Sequence, residues 1–290
     1  MTVWLDFDRE QMRSRFNAEA FGFRHRLHES PLFELPRLAQ LADFLFAAGG
    51  RRDVYNAAAA KRFDQAFEVN GSRPLSPGEA INTIETSNSW MVLKRVERDP
   101  EFAVIVQECM QQLAEDSPVF APGNVVKCEG FIFVTSPGGL TPYHIDPQWS
   151  FIAQIRGRKR YRIYDVRDPS VVSADEIERY YLGETMAARY DPAKDRAVKV
   201  FDLQPGMCAN QPLHAPHSAE VFAEASISMT IALVLREWEQ AAHVHRANHY
   251  LRKAGLNPGP VGARPLSDSV KRLAYRATRK LARVAGVPDR

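Results

Sequence analysis

His144 and Asp146 stand two apart in the stretch Thr141-Pro142-Tyr143-His144-Ile145-Asp146. On an extended strand that spacing sends both side chains off one face. A neutral imidazole beside a carboxylate supplies two ligands for a divalent metal. One more imidazole would complete the two-His, one-carboxylate set that leaves open positions on non-haem Fe(II). The pair alone is a weak signal: among eight His, about 0.4 such pairs arise by accident. Further on, Pro212-Leu213-His214-Ala215-Pro216-His217 offers two candidates for the third ligand, His214 and His217.

A cation is expected near the same place. Gly157-Arg158 suits a two-residue type II′ turn, with Gly at its first central position. That hairpin would set Arg156 opposite Lys159, Gln154 opposite Tyr161 and Ile152 opposite Ile163. Counting by twos along one strand from His144 gives Asp146, Gln148, Ser150, Ile152, Gln154 and Arg156, so Lys159 is predicted on the ligands' side. Its ammonium could hold the far carboxylate of an acidic co-substrate. The run Ser226 to Leu233 alternates small or polar residues with large apolar ones, and its small side is predicted to face the site.

These residues resemble the core of the JmjC, or cupin-like, Fe(II)/2-oxoglutarate-dependent oxygenases, and within them the asparaginyl hydroxylases that inhibit hypoxia-inducible factor. The likeness lies in Thr141-Pro142 before His144-x-Asp146, in Gln154-Ile155-x-Gly157-x-Lys159-Arg160, and in Ala215-Pro216-His217. It implies an all-β core, a double-stranded β-helix or jelly roll, with flanking N- and C-terminal α-helices. It implies Fe(II) on His144, Asp146 and His217, with His217 preferred to His214 because the family's distal His directly follows a Pro-containing segment. Thr141 and Lys159 would hold the C5 carboxylate of 2-oxoglutarate, and O2 would take the remaining metal position. The implied activity is hydroxylation of an amino-acid side chain in a peptide, protein or carrier-bound substrate. N-demethylation and a non-catalytic cupin-like binding role are the alternatives. Ser150 and Ala232 stand where the hydroxylases carry Asn, and no counterpart of an upstream co-substrate Tyr is evident.

The chain must supply elements that position these groups. Its 290 residues, 45% hydrophobic and 25% charged, suffice for a sizeable core. Three Cys make no disulfide framework, and no long apolar run or signal-like start is present, so a cytoplasmic location is expected. Three regions are expected: a mainly helical 1–120, a barrel over 121–235 and basic helices over 236–290. Residues 1–35 read as loops and short extended pieces. Helices are predicted after Pro36, after the capping box Ser76-Pro77-Gly78-Glu79, and after Asp99-Pro100, the last burying Phe102, Ile105, Val106, Cys109 and Leu113. Trp90 to Leu93 reads as a short buried strand. An insert over 166–197 carries a helix capped by Ser173 and Glu176; Tyr180, Tyr181, Arg189 and Tyr190 are its candidates for substrate contact. His243, His245 and His249 read as a surface helix rather than a metal site. A last helix from about Ser267 sets Val270, Leu273, Ala277 and Leu281 against a basic remainder. Such a helix can meet an anionic membrane, nucleic acid or an acidic partner, but more often packs its apolar stripe on the domain or a second subunit. The resemblance, in which C-terminal helices form the homodimer, favours a homodimer contact, with no membrane span and no nucleic-acid partner expected.

Overall fold

The structure, a computed structural model, describes residues 2–65 and 75–284, with side chains to residue 281. Its strands are β1 (Leu5–Asp6), β2 (Gly22–His25), β3 (Val54–Ala58), β4 (Ser89–Lys94), β5 (Val125–Thr135) and β6 (Leu140–His144). There follow β7 (Trp149–Arg156), β8 (Lys159–Tyr164), β9 (Val198–Leu203), β10 (Met207–Gln211), β11 (His217–Val221) and β12 (Ser226–Leu235). The helices are α1 (Arg9–Arg15), α2 (Leu35–Gly49), α3 (Pro77–Asn82), α4 (Pro100–Asp116), α5 (Ala174–Tyr180), α6 (Arg236–Lys253) and α7 (Pro265–Val284).

Two antiparallel sheets face each other. The larger runs β1-β2-β10-β7-β12-β5-β4-β3 and the smaller β6-β11-β8-β9. From β5 to β12 the chain deals strands between them so that each sheet's central order is non-sequential, which is the double-stranded β-helix. The alternation along each strand decides its two faces. In β12, Ile227, Met229, Ile231 and Leu233 join the core beneath the helices, while Ser226, Ser228, Thr230 and Ala232 look into the barrel. In β7, Trp149, Phe151, Ala153 and Ile155 go to the helices, and Ile152 meets Tyr161, Ile163 and Ala209 inside.

The helices cover the back of the larger sheet. α4 starts on Asp99, whose carboxylate accepts from the Glu101 and Phe102 amides, with Pro100 at the first helical position. Its predicted face, from Phe102 to Leu113, is buried against β5 and β12. Each such large side chain stabilises the packing by roughly 1.5–3 kcal/mol. α3 carries both hydrogen bonds of its capping box, and α5 carries both of its own.

Two expectations need correction. First, β7 and β8 form no hairpin: β7 already has β10 and β12 on its two edges, so β8 crosses to the smaller sheet between β11 and β9. Gly157 makes the crossing with φ +69°, where a Cβ would lie 2.3 Å from the Ala225 carbonyl oxygen. The counting by twos from His144 to Arg156 fails for the same reason, because β6 and β7 lie in different sheets. Second, residues 1–35 contain the helix α1; the short extended pieces expected there are β1 and β2, which extend the larger sheet past β10, as β4 and β3 extend it past β5. The last helix, α7, begins at Pro265, close to the expected Ser267, since proline fits the first helical position.

Candidate active site

β11 is the hinge of the site. His217 lies opposite His144 of β6 on one side and Ile163 of β8 on the other. Two residues on, Ala219 lies opposite Thr141 and Tyr161. β11 thus advances two residues while β6 retreats three, a β-bulge. On a regular strand residues three apart face opposite sides; the extra residue puts Thr141 and His144 on the same one.

Both imidazoles are held in one orientation. Nδ1 of His144 contacts the Pro142 carbonyl oxygen at 2.7 Å, and Nδ1 of His217 the Ala215 carbonyl oxygen at 3.0 Å. Nε2 of each therefore turns toward Asp146, whose Oδ2 lies 4.0 Å from His144 and 3.6 Å from His217. These gaps exceed hydrogen bonds. They suit three ligands around one ion, since atoms each about 2.1 Å from a metal lie about 3–4 Å apart. The set fits a facial two-His, one-carboxylate site, and the backbone bonds at Nδ1 are the outer support such ligands need. Burial, with a lesser push from the His144 ring, lowers the His217 imidazole to about 3, so it is neutral, as a ligand must be. The Asp146 side chain is 40% exposed, which places the cluster at the barrel mouth.

His214 is not part of this cluster. Its backbone is left-handed at φ +60°, and its Nε2 meets the Tyr181 hydroxyl at 2.8 Å. Tyr181 stacks on His245 at 5.0 Å and lies under the Arg246 guanidinium. Burial lowers His214 to about 3 and His245 to about 4. These histidines brace the insert against α6. The surface-helix expectation is thereby corrected in part: His249 is buried, because α5 lies over that face of α6. Asp175, Glu178 and His249 form a second cluster of potential ligands, but both Glu178 oxygens already accept from Arg252 at 3.0 Å. Of the insert's other candidates, Tyr180 and Tyr190 pack against the Tyr143–Tyr164 cluster, and Arg189 is exposed. The field of Asp146, secondary to burial, raises the Tyr180 hydroxyl, placing that ring beside the mouth.

The other end of the cavity is closed. Lys159 alternates inward on β8 with Tyr161 and Ile163 and is 2% exposed. The predicted face is therefore occupied, through pairing with β11 and β9 rather than β7. Nζ donates to Ser228 Oγ at 2.7 Å, and Ser228 donates to Gln154 Oε1 at 2.8 Å. Gln154 Nε2 in turn donates to Ser226 and to the carbonyls of Arg156 and Gly157. Among the described residues no carboxylate pairs with Lys159, and burial alone pushes its ammonium down to about 7. Beside it, Trp90 Nε1 donates to Thr141 Oγ1 at 3.1 Å, leaving the Thr141 hydroxyl proton for another acceptor. Trp90 packs edge-on against Tyr55, so β3 and β4 supply the aromatic wall that the sequence did not reveal. Ser228 was legible only as a residue on the small side of β12.

No family model matches the chain, and no curated protein matches it. Among solved structures it superposes on the Escherichia coli protein YcfD, described as a ribosomal oxygenase, with a TM-score of 0.50 at 15–16% identity. The alignment covers 97% of this chain and 68–69% of YcfD. One matching YcfD structure is a complex with cobalt and 2-oxoglutarate, at 16% identity and the same TM-score. The likeness shows the fold: a cupin-like jelly roll with flanking helices.

Proposed function

We propose that the chain is an Fe(II)- and 2-oxoglutarate-dependent oxygenase that hydroxylates an amino-acid side chain of a peptide or protein. The observation that carries this reading is the pairing of a three-ligand cluster at the mouth with a buried, carboxylate-free ammonium at the closed end. A buried cation without a counter-ion is costly, and a dicarboxylate spanning the cavity would relieve it. The complex of YcfD with cobalt and 2-oxoglutarate supports the choice of metal class and co-substrate.

In this reading His144, Asp146 and His217 would hold the metal. Iron, 2-oxoglutarate and O2 together supply the oxidising power that protein side chains lack. Lys159 and the Thr141 hydroxyl hold the far carboxylate, oriented by Ser228 and Trp90. The apolar barrel wall excludes water, and Tyr180 beside Asp146 bounds the place where substrate enters. A location in the cytoplasm and a second copy of the chain against α7 belong to the same proposal. Leu266, Val270, Leu273 and Leu281 of that helix are exposed, and no described helix is long and apolar enough to cross a membrane.

The test is conversion of 2-oxoglutarate to succinate by Fe(II)-loaded protein in air with a peptide pool, read with a one-oxygen mass gain on a peptide. His144→Ala and Lys159→Ala should each abolish both signals. Succinate formation unaffected by either substitution would refute the assignment.

A further inference from the structure

Gln211 ends β10 on its inward face, alternating with Ala209 inside while Cys208 and Asn210 face the helices. It lies opposite Ser150, and Ser150 lies opposite Ala232. Those two small residues occupy the places where the resembling hydroxylases carry Asn, so they open space on this row. Gln211 is 2% exposed, and its Oε1 accepts from the Tyr161 hydroxyl. The Tyr161 ring stands 5.7 Å from the His217 ring, and Asp146 adds to burial in raising its hydroxyl. Gln211 Nε2 is shut off from solvent and has no hydrogen-bond partner among the described residues. A buried amide donor left unmade is destabilising, and an apolar side chain could fill the same place without that cost. The donor thus points to an acceptor that arrives from outside the chain.

We infer that Gln211 Nε2 donates to the 2-oxo acid end of the co-substrate, an inference that rests on the oxygenase reading above. The far carboxylate belongs to Lys159, which lies beside Ser228 and Gln154; the Thr230–Ile152–Ala209 row separates that pair from Gln211. The end of the molecule near the metal ligands is the one within this row. Tyr161 fixes the amide by occupying its oxygen, so the nitrogen is directed before the ligand arrives. In this chain a glutamine on β10 supplies an amide donor where β7 and β12 have none.

Two variants test it in the full chain, loaded with Mn(II) under anaerobic conditions. Gln211→Met removes the amide without adding charge and is the deciding variant; Gln211→Glu keeps an acceptor for Tyr161 but replaces the N–H donors with a carboxylate oxygen. The ligands are 2-oxoglutarate and pyruvate, which has the 2-oxo acid end alone. Both variants should weaken both acids about tenfold or more, while Mn(II) affinity stays within about threefold. The charge-transfer absorption of the anaerobic Fe(II)–2-oxoglutarate complex should shift as well. Lys159→Met should weaken 2-oxoglutarate and leave pyruvate unchanged. Wild-type affinity for both acids in either folded Gln211 variant overturns the inference. Wild-type protein that binds Mn(II) but neither acid overturns the oxygenase reading, and this inference with it.

Discussion

The two ends of the barrel are built on opposite plans. At the closed end Lys159, Ser228, Gln154 and Ser226 are each at most 2% exposed and joined in one chain of hydrogen bonds. At the mouth Asp146 is 40% exposed, the ligand atoms stand 3.6–4.0 Å apart, and the Gln211 amide has no acceptor among the described residues. The closed end is finished except for a negative charge; the mouth is unfinished by several bonds. A low-dielectric pocket strengthens a single ionic anchor, whereas a reacting centre needs positions that stay open. In the proposed reading the difference matches two tasks: one end grips, the other reacts.

The largest effect expected from this contrast is on pH. Burial lowers the Lys159 ammonium from 10.5 to about 7 in the free protein, so its folded value lies below its unfolded one. Between these values the unfolded chain binds more protons, so stability of the free protein should rise with pH from about 7 upward. Binding a dicarboxylate requires the charged form. The dissociation constant of 2-oxoglutarate should therefore rise by about tenfold per pH unit above 7, with proton uptake visible in calorimetry across buffers. Lys159→Met should remove the slope. A flat profile in the wild-type protein would erase the distinction between the two ends.

A smaller effect is expected from Ser228→Ala. It strips Lys159 of its acceptor and Gln154 of a donor, so 2-oxoglutarate should weaken about three- to tenfold and the fold should lose about 1–3 kcal/mol. Titration and denaturant unfolding read the two quantities. Tyr181→Phe should affect stability alone. Leaving His214 Nε2 without its partner should lower the melting temperature by about 2–4 °C, with the 2-oxoglutarate constant unchanged. A change in that constant would mean that the insert reaches the co-substrate.

Strands were legible one by one, β4 and β12 of the larger sheet among them, but how they pair was not. His144, Asp146, Lys159 and His217 carry chemistry in their residue types, and their spacing exposed them. The route by which Lys159 turns inward was misread, since a Gly-containing turn looks alike whether its strands pair or cross between sheets. Thr141 was marked only by resemblance, because its side depends on a bulge that no local pattern announces. Trp90, Ser228 and Gln211 act across the barrel from strands far away in sequence, and side chains of those types are ordinary core or sheet material. The helices were legible because caps and apolar periodicity are local. The helix α1 was missed, since seven residues give too short a period to read, and β1 and β2 were legible only as short extended pieces.

The most direct measurement is anomalous scattering from crystals grown with Mn(II) and 2-oxoglutarate without oxygen. The account predicts a single strong metal peak about 2.1 Å from Nε2 of His144, Nε2 of His217 and a carboxylate oxygen of Asp146. It also predicts the ligand's far carboxylate about 3 Å from Lys159 Nζ. Metal at Asp175, Glu178 and His249 instead, or a far carboxylate remote from Lys159, would contradict it.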